Sequence, residues 1–160
     1  MCEKFYTLSF YVQENPDWIC VLPLTPEGQV VLVREYRHGA GEILTGLVGG
    51  TLENGDASPL HTARRELQEE TGYRCAEMVT LGAAYANCRN HTNKVHYFLA
   101  RNAFPASAQA LDETEDIDVV LAPLAEVAAP GFLKQSYHIA CLHLALPLLE
   151  PAQSRGYQTP

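Results

Sequence analysis

The sequence predicts a single α+β domain of packed layers, with strands in the majority and two helices, one mid-chain and one near the end. Three observations lead there. Aromatic and β-branched runs recur from residue 4 to about residue 123. The stretch "SPLHTARRELQEETG" carries both a helix start and a helix stop. No repeat or linker divides the 160 residues. A chain of this length buries a core as one unit, and helices layered on a sheet are the economical arrangement. Residues 1–150 form the expected domain, and 151–160 a poorly ordered tail.

The elements follow in order. "KFYTLSFYVQ" has strand composition with partial alternation. "DWICVLPL" and "QVVLVREYR" read as two buried strands of a hairpin, because "TPEG" between them places Pro and Gly where a turn uses them. "EILTGLVGG" reads as one short strand ending in flexible backbone. In the helix that follows, Ser58 is the N-cap, Pro59 takes the first helical position and Gly72 is the stop. "AEMVTLGAAYA" and "KVHYFLARN" are strands flanking the polar loop "NCRNHTN". An acidic loop, "ALDETEDID", leads into the strand of "IDVVLAPL", and a core-facing helix runs from about Lys134 to Leu149.

Charge narrows the function classes. A net charge of −8 and a pI near 5.1 argue against nucleic-acid polymers and anionic membranes, whose binding draws on basic surface. A small phosphorylated ligand remains compatible, since Mg²⁺ bridges carboxylates to phosphate oxygens. The five cysteines are odd in number and never form C-x-x-C, which predicts reduced thiols and a cytoplasmic protein. No secretory leader and no membrane-spanning run is expected. Cys88, His91 and His96 do not match a standard zinc spacing. His138 and His143, in the last helix, read as packing or surface residues.

The chemistry concentrates in the mid-chain helix. At about 100° per residue, Glu66, Glu69 and Glu70 fall within roughly a 100° arc. Like charges at that spacing repel, and Arg65, one turn before Glu69, offsets part of it. Such a stripe beside Gly49 and Gly50 offers oxygen ligands to a hard divalent cation, and the bare glycine backbone lets a diphosphate approach.

"RELQEETGY", Arg65 to Tyr73, resembles the second half of the Nudix signature G-x5-E-x7-R-E-U-x-E-E-x-G-U at every specified position, U being apolar. Counted from Gly50, the first acidic position is Asp56, and eight residues rather than seven precede Arg65. The chain thus has one extra residue between Gly55 and Ser58, which predicts an undisturbed helix behind a weakened loop. The resemblance implies a Nudix-like α/β/α sandwich with a mixed β-sheet, the catalytic helix on one side and a C-terminal helix.

The likeness extends over roughly residues 18–149 and is greatest to the ADP-ribose pyrophosphatase and nucleoside-diphosphate-sugar hydrolase branch. "VREYRHGAGE" resembles the strand and loop before the box, implying that Arg37 contacts the diphosphate or its ribose. The Gly49 carbonyl would join the metal shell. The loop "LDETEDID" resembles the one that supplies a further catalytic glutamate, here Glu113 or Glu115. The chain enters its box with "GLVGG" where the branch often has E-L-P-A-G, so Gly46 stands in an acidic position.

The implied function is hydrolysis of a nucleoside diphosphate linked to another group, giving NMP and a sugar phosphate. Glu66, Glu69 and Glu70 would hold Mg²⁺ or Mn²⁺, Gly50 would border the substrate, and Arg65 and Asp56 would support the glutamates. The alternatives are an NTP-sanitising pyrophosphatase that releases pyrophosphate and a non-catalytic nucleotide-binding module. A homodimer is the expected assembly.

Overall fold

The computed structural model describes residues 9–149. Its elements are β1 (Trp18–Leu24), β2 (Gln29–Arg37), β3 (Glu42–Gly46), β4 (Val48–Thr51), α1 (Pro59–Thr71), β5 (Tyr73–Tyr85), β6 (Lys94–Pro105), β7 (Asp118–Pro123), α2 (Leu124–Val127) and α3 (Ser136–Leu149). At the β1–β2 turn Gly28 has φ +79° and donates to the Thr25 carbonyl at 3.0 Å, so "TPEG" closes a tight hairpin.

The sheet is mixed. Its centre is the parallel pair β1–β6, in register from Trp18↔Val95 to Leu24↔Arg101. β5 runs antiparallel to β6, and β4 antiparallel to β1. β2 pairs with β1 only at Leu24↔Val30 and then pairs with β3 and β7. Helices cover both faces, and the strands show why they must. Along β1, Ile19 and Val21 pack with Ala63 and Leu67 of α1, while Cys20 and Leu22 pack with Cys141, Leu142 and Ala145 of α3. β6 alternates likewise, Phe98 and Ala100 toward α1, Val95, Tyr97 and Leu99 toward α3. Side chains alternate along a strand, so an apolar run without polar alternation needs a cover on each side.

α1 is bounded as its sequence predicts. Ser58 Oγ accepts from the His61 N–H at 3.2 Å, Pro59 opens the helix, and Gly72, at φ +73°, donates its N–H to the Gln68 carbonyl. A Cβ at Gly72 would also overlap the Ser107 carbonyl.

Four expectations need correction. "EILTGLVGG" is two strands: β3 bonds β2 and β4 bonds β1, and between them the Leu47 N–H donates to His138 Nδ1 at 3.3 Å instead of to a strand. The last helix begins at Ser136 rather than Lys134. The one-turn helix α2 follows β7, where only a turn was expected. Residues 4–8 of "KFYTLSFYVQ" lie outside the described residues, as do residue 150 and the tail 151–160. Its described part is no strand: only Gln13 pairs, in a single bridge to His91.

Removing the Ser58 hydroxyl isolates the cap. Ser58→Ala is expected to cost about 1 kcal/mol, a fall of roughly 2–4 °C in Tm for a chain of this size. An unchanged melting curve would show that the helix start is fixed by other contacts.

Candidate active site

One open cleft collects the functional side chains. It is lined by the α1 glutamates, by Gly49–Thr51 of β4, by Glu35 and Arg37 at the end of β2, by Asp112 and Glu115 of the loop after β6, and by Gln135 and Tyr137 at the start of α3. Its volume is about 580 Å³. Seven carboxylates border it (Glu35, Glu53, Glu66, Glu69, Glu70, Asp112 and Glu115) against two guanidiniums, Arg37 and Arg65. That imbalance suits a site that receives cations and holds phosphate through them.

Glu66 and Glu70 are buried, 8% and 4% exposed. Both turn toward β4, and the glycines there are a steric requirement: a Cβ on Gly50 would overlap the Glu66 carboxyl. The Gly49 N–H donates to Glu70 Oε2 at 3.3 Å. Burial lifts the Glu66 carboxyl to about 7, with Arg65 pulling it down and Glu69 and Glu115 adding to the rise. Burial raises Glu70 well above the carboxylate range, and Glu66 and Glu35 push it further. These carboxyls are held where ionisation is unfavourable unless positive charge arrives.

Arg65 braces the stripe. Its guanidinium donates to Glu69 Oε2 at 2.8 Å and to Asp56 Oδ2 at 3.2 Å, and lies 3.0 Å from Glu66 Oε1. Burial works against its charge, but Asp56 and Glu69 more than compensate and hold its pKa above the usual value. The loop ahead of the helix is not weakened by its extra residue. The Asp56 carboxylate accepts from the Glu53 N–H (3.0 Å), the Thr62 hydroxyl (2.9 Å) and Arg65, and sits 3.2 Å from His61 Nδ1. Led by the Glu53 N–H, these partners hold its pKa below the carboxylate range.

The loop after β6 is stitched across the C-terminal end of α1. Gln109 Nε2 donates to the Glu70 carbonyl at 2.6 Å and to the Ile117 carbonyl at 3.0 Å, and the Ala110 N–H donates to the Glu69 carbonyl at 2.9 Å. These satisfy carbonyls that a helix end leaves free, and they aim Asp112 and Glu115 at the cleft. Glu115 Oε2 accepts from the Asp112 N–H at 3.0 Å. Glu113 is exposed and is not among the residues lining the cleft.

Residues 15–141 match the NUDIX domain. The chain belongs to the Nudix family. It is 32% identical over 110 residues to an ADP-ribose pyrophosphatase of Bacillus subtilis, a match covering 68% of this chain and 59% of that protein. A methanol dehydrogenase activator of Bacillus methanolicus is similar to the same degree, 32% over 111 residues with the same coverage. The chain therefore spans about three fifths of the length of these two relatives. A GDP-mannose pyrophosphatase of Yersinia enterocolitica is 32% identical over 133 residues, covering 75% of this chain and 68% of that one. A solved structure described as an ADP compounds hydrolase superposes with a TM-score of 0.72 over 83% of this chain and 72% of its own, at 22% identity. At that identity the likeness establishes the Nudix fold.

The Nudix helix thus brings Glu66, Glu69, Glu70 and Arg65 to the cleft together with Arg37, Gly49, Gly50 and Glu115. Asp56 stays behind the helix as a brace. Sequence reading missed Glu35, Gln109, Asp112, Gln135 and Tyr137. Glu35 had a signal, since it lies two residues from Arg37 on the same face of β2. The α3 residues had none. His96, once weighed as a metal ligand, pairs through Nε2 with Asp17 Oδ2 at 2.8 Å.

The raised Glu66 carboxyl gives a pH test. Its folded value, about 7, lies above the ordinary 4.5, so the fold is penalised at high pH and the penalty is gone once pH falls below 4.5. In EDTA at pH 8, Glu66→Gln is expected to raise Tm by roughly 2–4 °C, the size of a 1 kcal/mol change, and the gain is expected to vanish toward pH 4.5. A variant less stable than wild type at pH 8 would mean that pairing with Arg65 outweighs burial.

Proposed function

We propose that the protein is a Mg²⁺- or Mn²⁺-dependent pyrophosphohydrolase that cleaves a nucleoside diphosphate linked to another group, of the ADP-ribose or nucleotide-sugar type, to NMP and a sugar phosphate. The observation that carries this reading is the burial of Glu66 and Glu70 under Gly49–Gly50, with Arg37 on the same cleft. The activities for which the relatives are named, ADP-ribose and GDP-mannose pyrophosphatase, support it.

The donor chemistry suits a hard divalent cation, with buried carboxylate oxygens of raised pKa and a bare glycine backbone beside them, while among the described residues no three carboxylates are already grouped around one metal position. Glu66, Glu69, Glu70 and the Gly49 carbonyl would hold it. When bound, the ion supplies charge to the phosphate oxygens and acidifies its water. The protein's own groups do the rest. Arg37 pairs with a phosphate oxygen and sets the diphosphate along the cleft. Glu115, fixed by the Asp112 N–H, accepts the proton of the attacking water. Arg65 keeps Glu66 and Glu69 from drifting apart as charge enters, and Asp56 anchors Arg65 to the helix start.

We further propose a cytoplasmic homodimer. Free thiols at Cys20, Cys75, Cys88 and Cys141 fit a reducing compartment. Phe10, Tyr11, Val12 and Tyr85 expose apolar surface that a second copy would cover.

The test is a screen of ADP-ribose, nucleotide sugars and NTPs with Mg²⁺ and Mn²⁺, products identified by mass. The expected products are NMP and a sugar phosphate. Pyrophosphate from NTPs, with nucleotide sugars untouched, would overturn the substrate class. Glu70→Gln is expected to lower kcat by about two orders of magnitude or more, and Glu115→Gln by roughly 10²–10⁴ as for a lost general base. Glu113→Gln is expected to stay close to wild type. If Glu113→Gln were the damaging one of that pair, the assignment of the base would be reversed.

A further inference from the structure

A small cavity lies behind the Arg37 end of the cleft. It is lined by Glu35, Arg37, Thr45, Gly46, Gln135 and His138, among others, and has a volume of about 10 Å³. Three of its residues carry buried polar atoms with hydrogen-bonding capacity left unused among the described residues: Glu35 Oε1, Gln135 Oε1 and His138 Nε2. Glu35 Oε1 is ion-paired with Arg37 Nη2 at 2.5 Å, and its second lone pair faces no other donor among the described residues. A buried polar atom left without a partner costs roughly 1–3 kcal/mol, so Gln135 Oε1 and His138 Nε2 on one cavity, with a free lone pair of Glu35 beside them, call for a common partner.

The chemistry of the three atoms selects it. His138 is 2% exposed and its Nδ1 receives the Leu47 N–H at 3.3 Å. A backbone N–H only donates, so Nδ1 is the acceptor and the neutral ring carries its proton on Nε2. Burial, with Arg37 nearby, presses the His138 pKa down to about 3 and keeps the ring neutral. The cavity therefore presents one donor and two acceptors. A single water has the valences for all three, accepting from His138 Nε2–H and donating to Glu35 and Gln135, and a space of about 10 Å³ is at the lower limit of what a water needs.

We propose that His138 is a positioning residue: through one buried water shared with Gln135 it fixes the Glu35 carboxylate, and through Glu35 it fixes the guanidinium of Arg37 at the substrate cleft. The ring reaches that place because Gly46 has no side chain, a Cβ there lying 2.5 Å from His138 Cε1. The imidazole thus fills the space beside the strand break at Leu47. The kinetic side of this proposal rests on the pyrophosphohydrolase reading above; the water does not.

Two variants separate the two nitrogens. Asn at position 138 keeps a polar atom near the place of Nδ1, for Leu47, and loses Nε2. Gln keeps one near the place of Nε2 and loses Nδ1. His138→Asn is expected to raise KM for the diphosphate substrate about 5–10-fold, the worth of one net hydrogen bond, with kcat little changed, and His138→Gln is expected to recover most of it. If Gln were as poor as Asn, or poorer, with KM following the loss of Tm, His138 would be only a brace for Leu47 and the proposal would fall. A high-resolution crystal structure of the wild-type protein without substrate decides the water independently of turnover. Density within hydrogen-bond distance of all three atoms is expected; an empty or collapsed cavity overturns the proposal. Wild-type protein inert toward every nucleoside diphosphate would instead remove the functional reading, and the crystal structure would still decide the water.

Discussion

The contact of two α1 carboxylates with a strand that has no side chains at the point of contact is the constraint on which the rest depends. Glu66 fits under β4 only because Gly50 lacks a Cβ, and Glu70 is held there by the Gly49 N–H. For β4 to reach that place it must leave β3 at Leu47 and pair with β1. For α1 to present residues 66 and 70 to it, the helix must begin at Ser58, which the cap, Pro59 and Asp56 together enforce. The two apolar faces of β1 and β6 then fix the layers, with α1 on one side and α3 on the other.

Burying carboxylates is unfavourable in itself. Beyond burial, Glu69 raises the pKa of Glu66, Glu66 and Glu35 raise that of Glu70, and Glu115 adds to both. The fold answers with the brace of Arg65, which touches Asp56, Glu66 and Glu69 at once. That brace neutralises the outer side of the stripe and leaves the inner side, toward β4, short of positive charge. A structural helix would gain stability from exchanging those glutamates for neutral residues. Their burial supports the proposal that charge is brought in from outside, since perturbed carboxyls of this kind concentrate at functional sites.

Much of this was legible in the sequence, for reasons that can be named. The helix could be read to the residue because its signals are local: Ser58, Pro59 and Gly72 act on their own backbone. The buried strands could be read because apolar runs of that length have few other uses. The strand break at Leu47 could not, since "EILTGLVGG" is continuous in composition and the group that captures the Leu47 N–H, His138, lies 91 residues away. The partners through which Asp56 acts were hidden for a similar reason: Thr62 and Arg65 come round to it only once the helix has formed. Glu35 was visible in principle from its spacing to Arg37. Gln109, Gln135 and Tyr137 enter the site through tertiary packing alone.

The proposed seat for a cation under Gly50 can be tested without any assumption about substrate. Calorimetric titration of Mn²⁺ into the wild-type protein and into Gly50→Ala, each checked for a cooperative melt, tests it most directly. The wild type should bind with release of protons from the raised carboxyls, and the variant, with Glu66 displaced, should bind at least about tenfold more weakly. Equal affinity and equal proton release in a folded Gly50→Ala protein would contradict a metal seat built from Glu66 and Glu70 against β4.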